Sequence, residues 1–208
     1  MLVFYYGTMG SGKSLRLLTK AHNLLEQNIS FAILKSAIDT RDGVNTIHSR
    51  ALVEDKECIT INIATNIFLL VESLQNMAVG LGNKPLTHIL VDEAQFLTEK
   101  QVEELAALSD RYKLEVDCFG LRTDFKTQLF PGSKRLFEIA DELKELEATC
   151  ACEGKTIFNA RIQGGKVGNI VTNGEQVEVG GEDKYMPLCR KCYFRAINHP
   201  LWDENEEL

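Results

Sequence analysis

The sequence lacks two features that would mark a nucleic-acid or membrane protein. It has no excess of basic residues: 23 Lys and Arg stand against 30 Asp and Glu, which gives a net charge of −7. Because binding to nucleic acid needs a basic footprint, this balance argues against nucleic acid as the main partner. No apolar run approaches the roughly 20 residues that cross a bilayer, so we expect no membrane partner.

The N-terminus lacks the basic-then-apolar pattern of a secretory leader, because a strand-like apolar run begins at residue 2. We therefore expect a cytoplasmic protein in a reducing compartment, where disulfides are rare. With 208 residues, of which 44% are hydrophobic, the chain is long enough for one substantial domain plus a small appendage.

The most informative stretch lies close to the N-terminus and reads G-x-x-x-x-G-K-S. An apolar run at residues 2–6 precedes it, and a helical pattern follows, with one face predicted at Leu15, Leu18, His22 and Leu25. Strand, glycine loop and helix in this order predict a phosphate-binding loop for ATP, with Lys13 on the β- and γ-phosphates and Ser14 on Mg²⁺. Its nucleotide-binding residues are Gly7, Thr8, Met9, Gly10, Ser11, Gly12, Lys13 and Ser14.

Apolar runs alternate with helical patterns along the next part of the chain. Further strands are predicted at residues 30–35, 58–61, 88–93 and 114–120. Helices are predicted at 67–74, from a Thr98 capping box to about 109, and at 133–146. This alternation predicts an α/β fold of the P-loop NTPase type, in which helices cover a parallel sheet.

Two adjacent carboxylates, Asp92 and Glu93, end one of the predicted apolar strands. In a chain with a phosphate loop, we expect Asp92 to be the second acidic site that holds Mg²⁺. Glu93 is then the candidate catalytic base. Such a pair occurs in ATPases that activate water and in kinases that activate an alcohol, so both reactions stay open on these residues alone.

The composition changes near residue 149, where a glycine-rich stretch without clear helical patterns begins. A hairpin is predicted from the runs 170–172 and 176–179. We expect residues 1–148 to form the ATP-binding domain, 149–198 a small zinc-binding β module, and 199–208 an acidic tail. The module has too little apolar content to fold well without a metal.

Four of the six cysteines form two close pairs: Cys150 with Cys152, and Cys189 with Cys192. In a reducing compartment such pairs indicate a metal site, and four thiolates suit a closed, structural Zn²⁺. An iron–sulfur cluster is the alternative. The isolated Cys58 and Cys118 are predicted to be buried core thiols.

Together these motifs resemble the zinc-containing thymidine kinases, over nearly the whole chain. Besides the phosphate loop and the C-x-x-C pair, the matching segments are residues 39–41, 92–96, 120–125 and 180–185. The chain departs from much of the family by having C-x-C in place of the first C-x-x-C. The resemblance implies that ATP phosphorylates the 5′-hydroxyl of thymidine to give dTMP, beneath a zinc-held lasso that closes over the nucleoside. It also implies a homotetramer and feedback inhibition by thymidine triphosphate (dTTP).

The resemblance implies roles for individual residues as well. Glu93 matches the catalytic base, Arg41 the arginine near the transferred phosphate, and Lys13 the phosphate-loop lysine. Asp92 and Gln95 match nucleotide-binding positions. Positions of the nucleoside pocket and lasso are matched by Met9, Phe96, Leu121, Phe125, Phe130, Asn159, Gln176, Val177, Glu178, Val179, Gly180 and Tyr185.

Two functions of other classes compete with a thymidine kinase. A zinc-ribbon ATPase acting on nucleic acid is disfavoured by the acidic charge and by the short chain without a basic stripe. An ATP-binding scaffold without turnover is disfavoured because Arg41, Asp92 and Glu93 occur together. Within the enzyme class, deoxyuridine and other pyrimidine nucleosides stay open as substrates.

Overall fold

The computed structural model describes residues 1–38, 46–47, 56–163, 170–174 and 184–199. Within these ranges the strands are β1 (Leu2–Gly7), β2 (Phe31–Ser36), β3 (Thr46–Ile47), β4 (Lys56–Glu57), β5 (Ile59–Ile61), β6 (His88–Asp92), β7 (Glu115–Leu121), β8 (Glu142–Glu145), β9 (Phe158–Ile162), β10 (Ile170–Val171) and β11 (Tyr185–Leu188). The helices are α1 (Lys13–Glu26), α2 (Ile67–Gly80), α3 (Glu99–Tyr112), α4 (Pro131–Ile139) and α5 (Arg190–Ala196), with a short 3₁₀ helix at Ala94–Phe96.

Six strands form one parallel sheet in the order β5-β2-β6-β7-β1-β8, which confirms the predicted α/β fold. Crossovers between parallel strands are right-handed, so the direction of each step decides which face its helix covers. The step from β1 to β2 passes through α1. The later steps through α2, α3 and α4 run the opposite way across the sheet. Consequently α1 covers one face and the other three helices cover the other.

The two faces have separate hydrophobic cores, to which alternate residues of each strand contribute. In β1, Leu2 and Phe4 pack with the buried residues of α2, α3 and α4. Val3 and Tyr5 pack on the opposite side with those of α1. Because both faces are covered, the strands are apolar along most of their length, which is why they stand out in the sequence.

The buried face of α1 differs from the predicted one. Its buried residues are Leu17, Leu18, Ala21 and Leu24, whereas Leu15 is 36% exposed and Leu25 is 55% exposed. The helix carries two overlapping apolar stripes. Because successive residues are about 100° apart around a helix, choosing a face that starts one residue later points it in a different direction. The helix begins at Lys13, directly after the left-handed Gly12, and this start decides which stripe meets the sheet.

The helix predicted at 133–146 is also wrong in its second half. The helix ends at Ile139, and β8 then pairs in parallel with β1 at the edge of the sheet. The Asp141 carboxylate accepts a hydrogen bond of 2.6 Å from the backbone N–H of Leu2, which fixes the start of this pairing. Long-range pairing with β1 therefore overrides the helix-forming composition of Glu142–Glu145.

The C-terminal part has its own antiparallel sheet, in the order β10-β9-β11. Its small core joins Ala160, Leu188 and Tyr193 to two of the paired cysteines. Strand β10 pairs with β9, and the predicted partner at 176–179 lies outside the described residues. The boundary near residue 148 stays a prediction.

The two isolated cysteines lie where they were predicted, since Cys58 is 8% exposed and Cys118 is fully buried. None of the helices among the described residues is long and apolar enough to cross a membrane.

The predicted capping box at Thr98 is confirmed. The Thr98 hydroxyl accepts from the N–H of Gln101 at 3.1 Å, and the Gln101 side chain accepts from the N–H of Thr98. We expect Thr98→Ala to lower the free energy of unfolding by about 1 kcal/mol, the usual cost of losing such a cap. Thr98→Ser keeps the hydroxyl and is the control. Urea unfolding that gives equal midpoints for the two variants would contradict the role of the cap.

Candidate active site

The phosphate-loop motif lies at the carboxyl end of β1 and leads into α1. Gly10 and Gly12 have φ angles of 75° and 80°, a region that glycine adopts without steric cost. At Gly7, a Cβ atom would collide with the carbonyl oxygen of Leu146 and the hydroxyl of Ser11. The backbone therefore turns tightly around the N-terminus of α1, whose N–H groups and dipole favour an anion.

The side chain of Lys13 folds over this loop. Its Nζ donates to the carbonyl oxygen of Thr8 at 2.7 Å and lies 3.5 Å from the hydroxyl of Ser11. Ser14 follows in the first turn of α1 and is half-buried. The loop thus gathers a cation and a hydroxyl at the end of the helix that attracts phosphate.

Two charged side chains end neighbouring strands at the same edge of the sheet. Asp92, which is 5% exposed, ends β6, and Lys35, which is 1% exposed, lies opposite it in β2. Sequence reasoning identified Asp92 but missed Lys35, whose signal was a single lysine within an otherwise apolar strand. A buried carboxylate therefore lies near a buried cation, with only β7 between β6 and the phosphate-loop strand.

The chain reverses direction at Glu93, directly after β6. Glu93 has φ 52° and ψ 40°, a left-handed conformation that is uncommon for residues other than glycine. Its carbonyl oxygen accepts from the N–H of Phe96 at 3.0 Å, which begins the 3₁₀ helix. This turn separates the two carboxylates, so that Asp92 stays buried in the sheet while Glu93 is half-buried above it.

Gln95 bonds to the turn as well as to the neighbouring strand. Its side-chain Nε2 donates to Oε2 of Glu93 at 2.5 Å, and its Oε1 accepts from the N–H of Leu121 at 3.0 Å. Sequence reasoning assigned Gln95 to nucleotide binding on the resemblance alone. The structure places its amide between Glu93 and the end of β7.

The start of α4 supports this turn from the other side. A Cβ at Gly132 would lie 2.6 Å from the carbonyl oxygen of Ala94 and 2.7 Å from that of Leu97. The fully buried Ser133 donates from its hydroxyl to the carbonyl oxygen of Leu121 at 2.6 Å. The 3₁₀ helix and the end of β7 are thus both held by the first turn of α4.

Two of the aromatic residues predicted for the nucleoside pocket meet beside the turn, and a third lies in the loop after β7. Phe96 and Phe130 meet edge to face, with ring centroids 5.7 Å apart. Phe125 is 2% exposed, and the guanidinium of Arg161 lies 5.4 Å from its ring centroid. The buried carboxylate of Asp124 shapes the loop by accepting from two backbone N–H groups, those of Lys126 and Gln128.

The C-terminal module contacts the phosphate loop through hydrogen bonds. The hydroxyls of Thr8 and Thr156 lie 2.8 Å apart, and the N–H of Met9 donates to Oδ1 of Asn159 at 2.7 Å. Asn159, predicted as a lasso position, is 3% exposed and bonds to the backbone of the phosphate loop. Thr156 was missed, because no motif distinguishes it.

A further bond joins this module to the aromatic loop. The hydroxyl of Tyr193, in α5, donates to the carbonyl oxygen of Phe125 at 2.7 Å. Tyr193 is 2% exposed and directly follows Cys192. The module therefore contacts two separate walls of the site.

Several predicted site residues lie outside the described part of the chain. They are Arg41, Gln176, Val177, Glu178, Val179 and Gly180. The predicted lasso residue Tyr185 is described: it begins β11 and lies opposite Arg161 of β9.

The four paired cysteines converge as predicted. Their sulfur atoms all lie within 4.8 Å of one another, and Sγ of Cys152 is 3.4 Å from Sγ of Cys189. A tetrahedral Zn²⁺ with Zn–S bonds near 2.3 Å would separate its sulfurs by about 3.8 Å, so the cluster has a suitable size. The backbone N–H of Gly154 and the neighbouring thiols lower the pKa of Cys152 to about 7, whereas the hydrogen bond with Cys152 and burial raise the pKa of Cys192 to about 12. The cluster could therefore hold a metal ion through thiolates.

Comparison with known proteins gives one consistent family. A family model described as thymidine kinase matches residues 1–193. A thymidine kinase of Pasteurella multocida is 40% identical over 196 residues, which cover 94% of this chain and 97% of that protein. A thymidine kinase of Lactiplantibacillus plantarum is 41% identical over 194 residues, which cover 93% and 95%.

Among solved structures, the genome packaging NTPase B204 of Sulfolobus turreted icosahedral virus 2 is a distant neighbour. It has a TM-score of 0.40 and 18% sequence identity, and the match covers 73% of this chain and 77% of that one.

The crowding at Gly7 makes a testable prediction about the phosphate loop. In Gly7→Ala, the added methyl group must displace the backbone carbonyl of Leu146 or the side chain of Ser11. Overpacking typically costs about 1–3 kcal/mol, and here the cost falls on the loop that surrounds the phosphates, so we expect the affinity for a nucleoside triphosphate to fall about 5- to 150-fold. Gly80→Ala is the matched control, because a Cβ at the end of α2 meets no atom within 4 Å. Equal affinities of the two variants in calorimetric titrations would contradict the prediction.

Proposed function

The chain belongs to the thymidine kinase family, and from this we propose that it transfers the γ-phosphate of ATP to the 5′-hydroxyl of thymidine, giving dTMP. One observation carries the proposal: the phosphate loop with Lys13 follows β1, and the buried Asp92 and the turned Glu93 lie at and just after the end of β6, at the same edge of the sheet with only β7 between. Phe96, in the turn that follows Glu93, meets the ring of Phe130. Such an arrangement can bind a triphosphate, a flat base and an acceptor hydroxyl together.

The phosphate loop and Lys13 bind the triphosphate in this proposal. Backbone N–H groups and the N-terminus of α1 surround the β- and γ-phosphates, and the lysine ammonium adds a positive charge. Ser14 and Asp92 would hold the Mg²⁺ that accompanies ATP, since both offer the oxygen ligands that this ion prefers. When bound, the ion supplies positive charge against the phosphate oxygens.

Glu93 acts as the catalytic base. The 5′-hydroxyl oxygen attacks the γ-phosphorus, and its proton passes to the Glu93 carboxylate as the new O–P bond forms. The bond between the γ-phosphorus and the β–γ bridging oxygen breaks, and ADP leaves with that electron pair. In this proposal, which follows the family resemblance, Arg41 would act near the transferred phosphate, where its charge would stabilise the transition state.

The aromatic loop forms the base pocket. Phe96 and Phe130 offer ring surfaces beside the base, and Phe125 forms the floor. Leu121, which ends β7, and Met9, two residues after β1, would add apolar contacts to this pocket. The segment 176–180 and Tyr185 act as the lasso that closes over the nucleoside. This last assignment rests on the resemblance.

Zn²⁺ in the four-cysteine cluster has a structural role in the proposal. A closed set of four thiolates leaves no position for a substrate, and metal binding is coupled to folding of the residues around it. Three contacts support this role: Thr156 and Asn159 bond to the phosphate loop, and Tyr193 bonds to the aromatic loop. Residues 149–198 would thus form a zinc module that completes the active site of residues 1–148, with 199–208 as a tail.

Further features follow from the family alone. We propose that the enzyme is a cytoplasmic homotetramer. We also propose that dTTP inhibits it, because dTTP would bind in the nucleoside pocket and bring its own phosphates. A zinc-ribbon ATPase on nucleic acid is not favoured, because the net charge of −7 opposes a polyanion.

The central test combines activity with the loss of the proposed base. Purified protein, ATP·Mg and a panel of nucleosides should give phosphate transfer to thymidine, without stimulation by DNA. Glu93→Gln keeps the shape of the side chain but cannot accept the proton, so we expect kcat to fall about 10²–10⁴-fold with nearly unchanged affinities. ATP hydrolysis that depends on DNA and ignores nucleosides would contradict the function. If Glu93→Gln mainly weakens the binding of ATP·Mg instead of lowering kcat, that result would contradict the role of Glu93 as the base.

The metal assignment has a separate test. We expect one Zn²⁺ per chain by elemental analysis of active protein, and loss of that zinc in Cys189→Ser. Since the module holds two walls of the site, this variant should lose thymidine kinase activity while the far-UV spectrum of the main domain persists. Cys58→Ala is the control, because Cys58 is buried far from the cluster in sequence and should keep the zinc. Active protein without zinc would contradict the assignment.

A further inference from the structure

We propose that Gln95 is a positioning residue for Glu93: its side-chain amide holds the carboxylate in the orientation that accepts the proton. The proposal rests on the role of Glu93 as base in the proposed function. It concerns a hydrogen bond within the protein and assigns Gln95 no contact with either substrate.

The orientation of the Gln95 amide is decided by its backbone partner. The N–H of Leu121 can only donate, so the amide atom that faces it must be the oxygen, at 3.0 Å. The amide nitrogen then faces Glu93 and donates to Oε2 at 2.5 Å. Because one end of the amide is tied to the end of β7, the other end presents a fixed donor to the carboxylate.

The packing around Gln95 leaves this side chain little freedom. Gln95 is 1% exposed and lies against Gly120, where a Cβ would come within 2.9 Å of its Oε1 and 3.0 Å of its backbone nitrogen. Its own carbonyl oxygen lies 3.0 Å from the position of a Cβ on Gly132 in α4. Two glycines, one on each side, thus make the room that this buried glutamine fills.

A fixed hydrogen-bond donor restricts the side chain of Glu93 more than it would restrict a side chain already held within a helix. It lies at a left-handed turn and is only half-buried, and a glutamate has three side-chain torsions to immobilise. Holding a reacting group in its productive geometry is a large part of catalysis, and small misplacements are costly. Without the donor from Gln95, the carboxylate would spend less time facing the acceptor hydroxyl.

The alternative is that Gln95 contacts the nucleotide directly, and the two roles differ in measurable ways. A positioning residue acts only through Glu93, so its removal lowers kcat and leaves the KM for ATP unchanged. It also has no effect once Glu93 can no longer act as a base. Loss of a nucleotide contact raises the KM for ATP, and it lowers kcat/KM by the same factor with or without Glu93.

The experiment is a double-mutant cycle with Gln95→Met and Glu93→Gln in the zinc-containing enzyme. Methionine has a similar length and volume but offers no amide. We expect Gln95→Met to lower kcat about 10- to 100-fold, which is less than loss of the base itself, with the KM for ATP within about twofold. In the Glu93→Gln background the same change should cost nothing further.

Gln75→Met is the matched control. Gln75, in α2, likewise uses both atoms of its amide, but both bonds go to the backbone of Leu86: Nε2 donates to the carbonyl oxygen and Oε1 accepts from the N–H, at 2.8 Å each. Leu86 precedes the amino end of β6, so these bonds lie at the edge of the sheet opposite the active site. The variant Gln75→Met should therefore keep wild-type kcat, and its free energy of unfolding should show the stability cost of losing such an amide.

A second variant, Gln95→Glu, tests the proposal if Gln95→Met does not fold. Gln95→Glu keeps an acceptor for Leu121 but replaces the donor with a second carboxylate that repels Glu93, so it should lower kcat at least as much as Gln95→Met. A raised KM for ATP, or an equal loss in both backgrounds, would overturn the proposal. If Glu93→Gln is damaged while Gln95→Met matches wild type, only this proposal fails. If Glu93→Gln itself keeps wild-type kcat, the base assignment fails and this proposal with it.

Discussion

The parallel pairing of β6, β7 and β1 determines where every candidate catalytic group of the described chain lies. These strands end at the same edge of the sheet, so the phosphate loop, the Asp92 carboxylate and the Leu121 backbone come together although they are far apart in sequence. Ligands of open parallel sheets bind at this edge for the same reason. A change that shifted the register of β7 by one residue would separate Gln95 from its backbone partner and disturb the Glu93 turn.

The C-terminal module adds two walls to a site whose chemistry lies in the main sheet. It reaches the phosphate loop through Thr156 and Asn159, and it reaches the aromatic loop through Tyr193. These contacts are buried polar bonds, which are costly to leave unmade and so favour one docked arrangement. Metal binding in the cysteine cluster and the geometry of the phosphate loop are therefore expected to be linked.

Sequence reasoning succeeded where the physical cause is local. A strand, a glycine-rich turn and a helix N-terminus are adjacent in the chain, so the phosphate loop could be identified from residues 7–14 alone. The Thr98 cap was predictable because its two hydrogen bonds join residues three apart. The residues 142–145 were misread as helix, because their pairing with β1 spans most of the main domain and leaves no local trace.

The sequence by itself determined the fold class, the family, the phosphate loop, the two carboxylates and the four cysteines. Each of these depends on residue type at short spacing or on a resemblance that spans the chain. Only the tertiary structure decided which stripe of α1 is buried, that Lys35 lies opposite Asp92, and that Gln95 bonds to Glu93. It also decided that Tyr193 holds the loop of Phe125, 68 residues away in the chain. Such contacts arise because strand pairing and core packing bring distant residues together, and no local pattern of residues encodes which ones will meet.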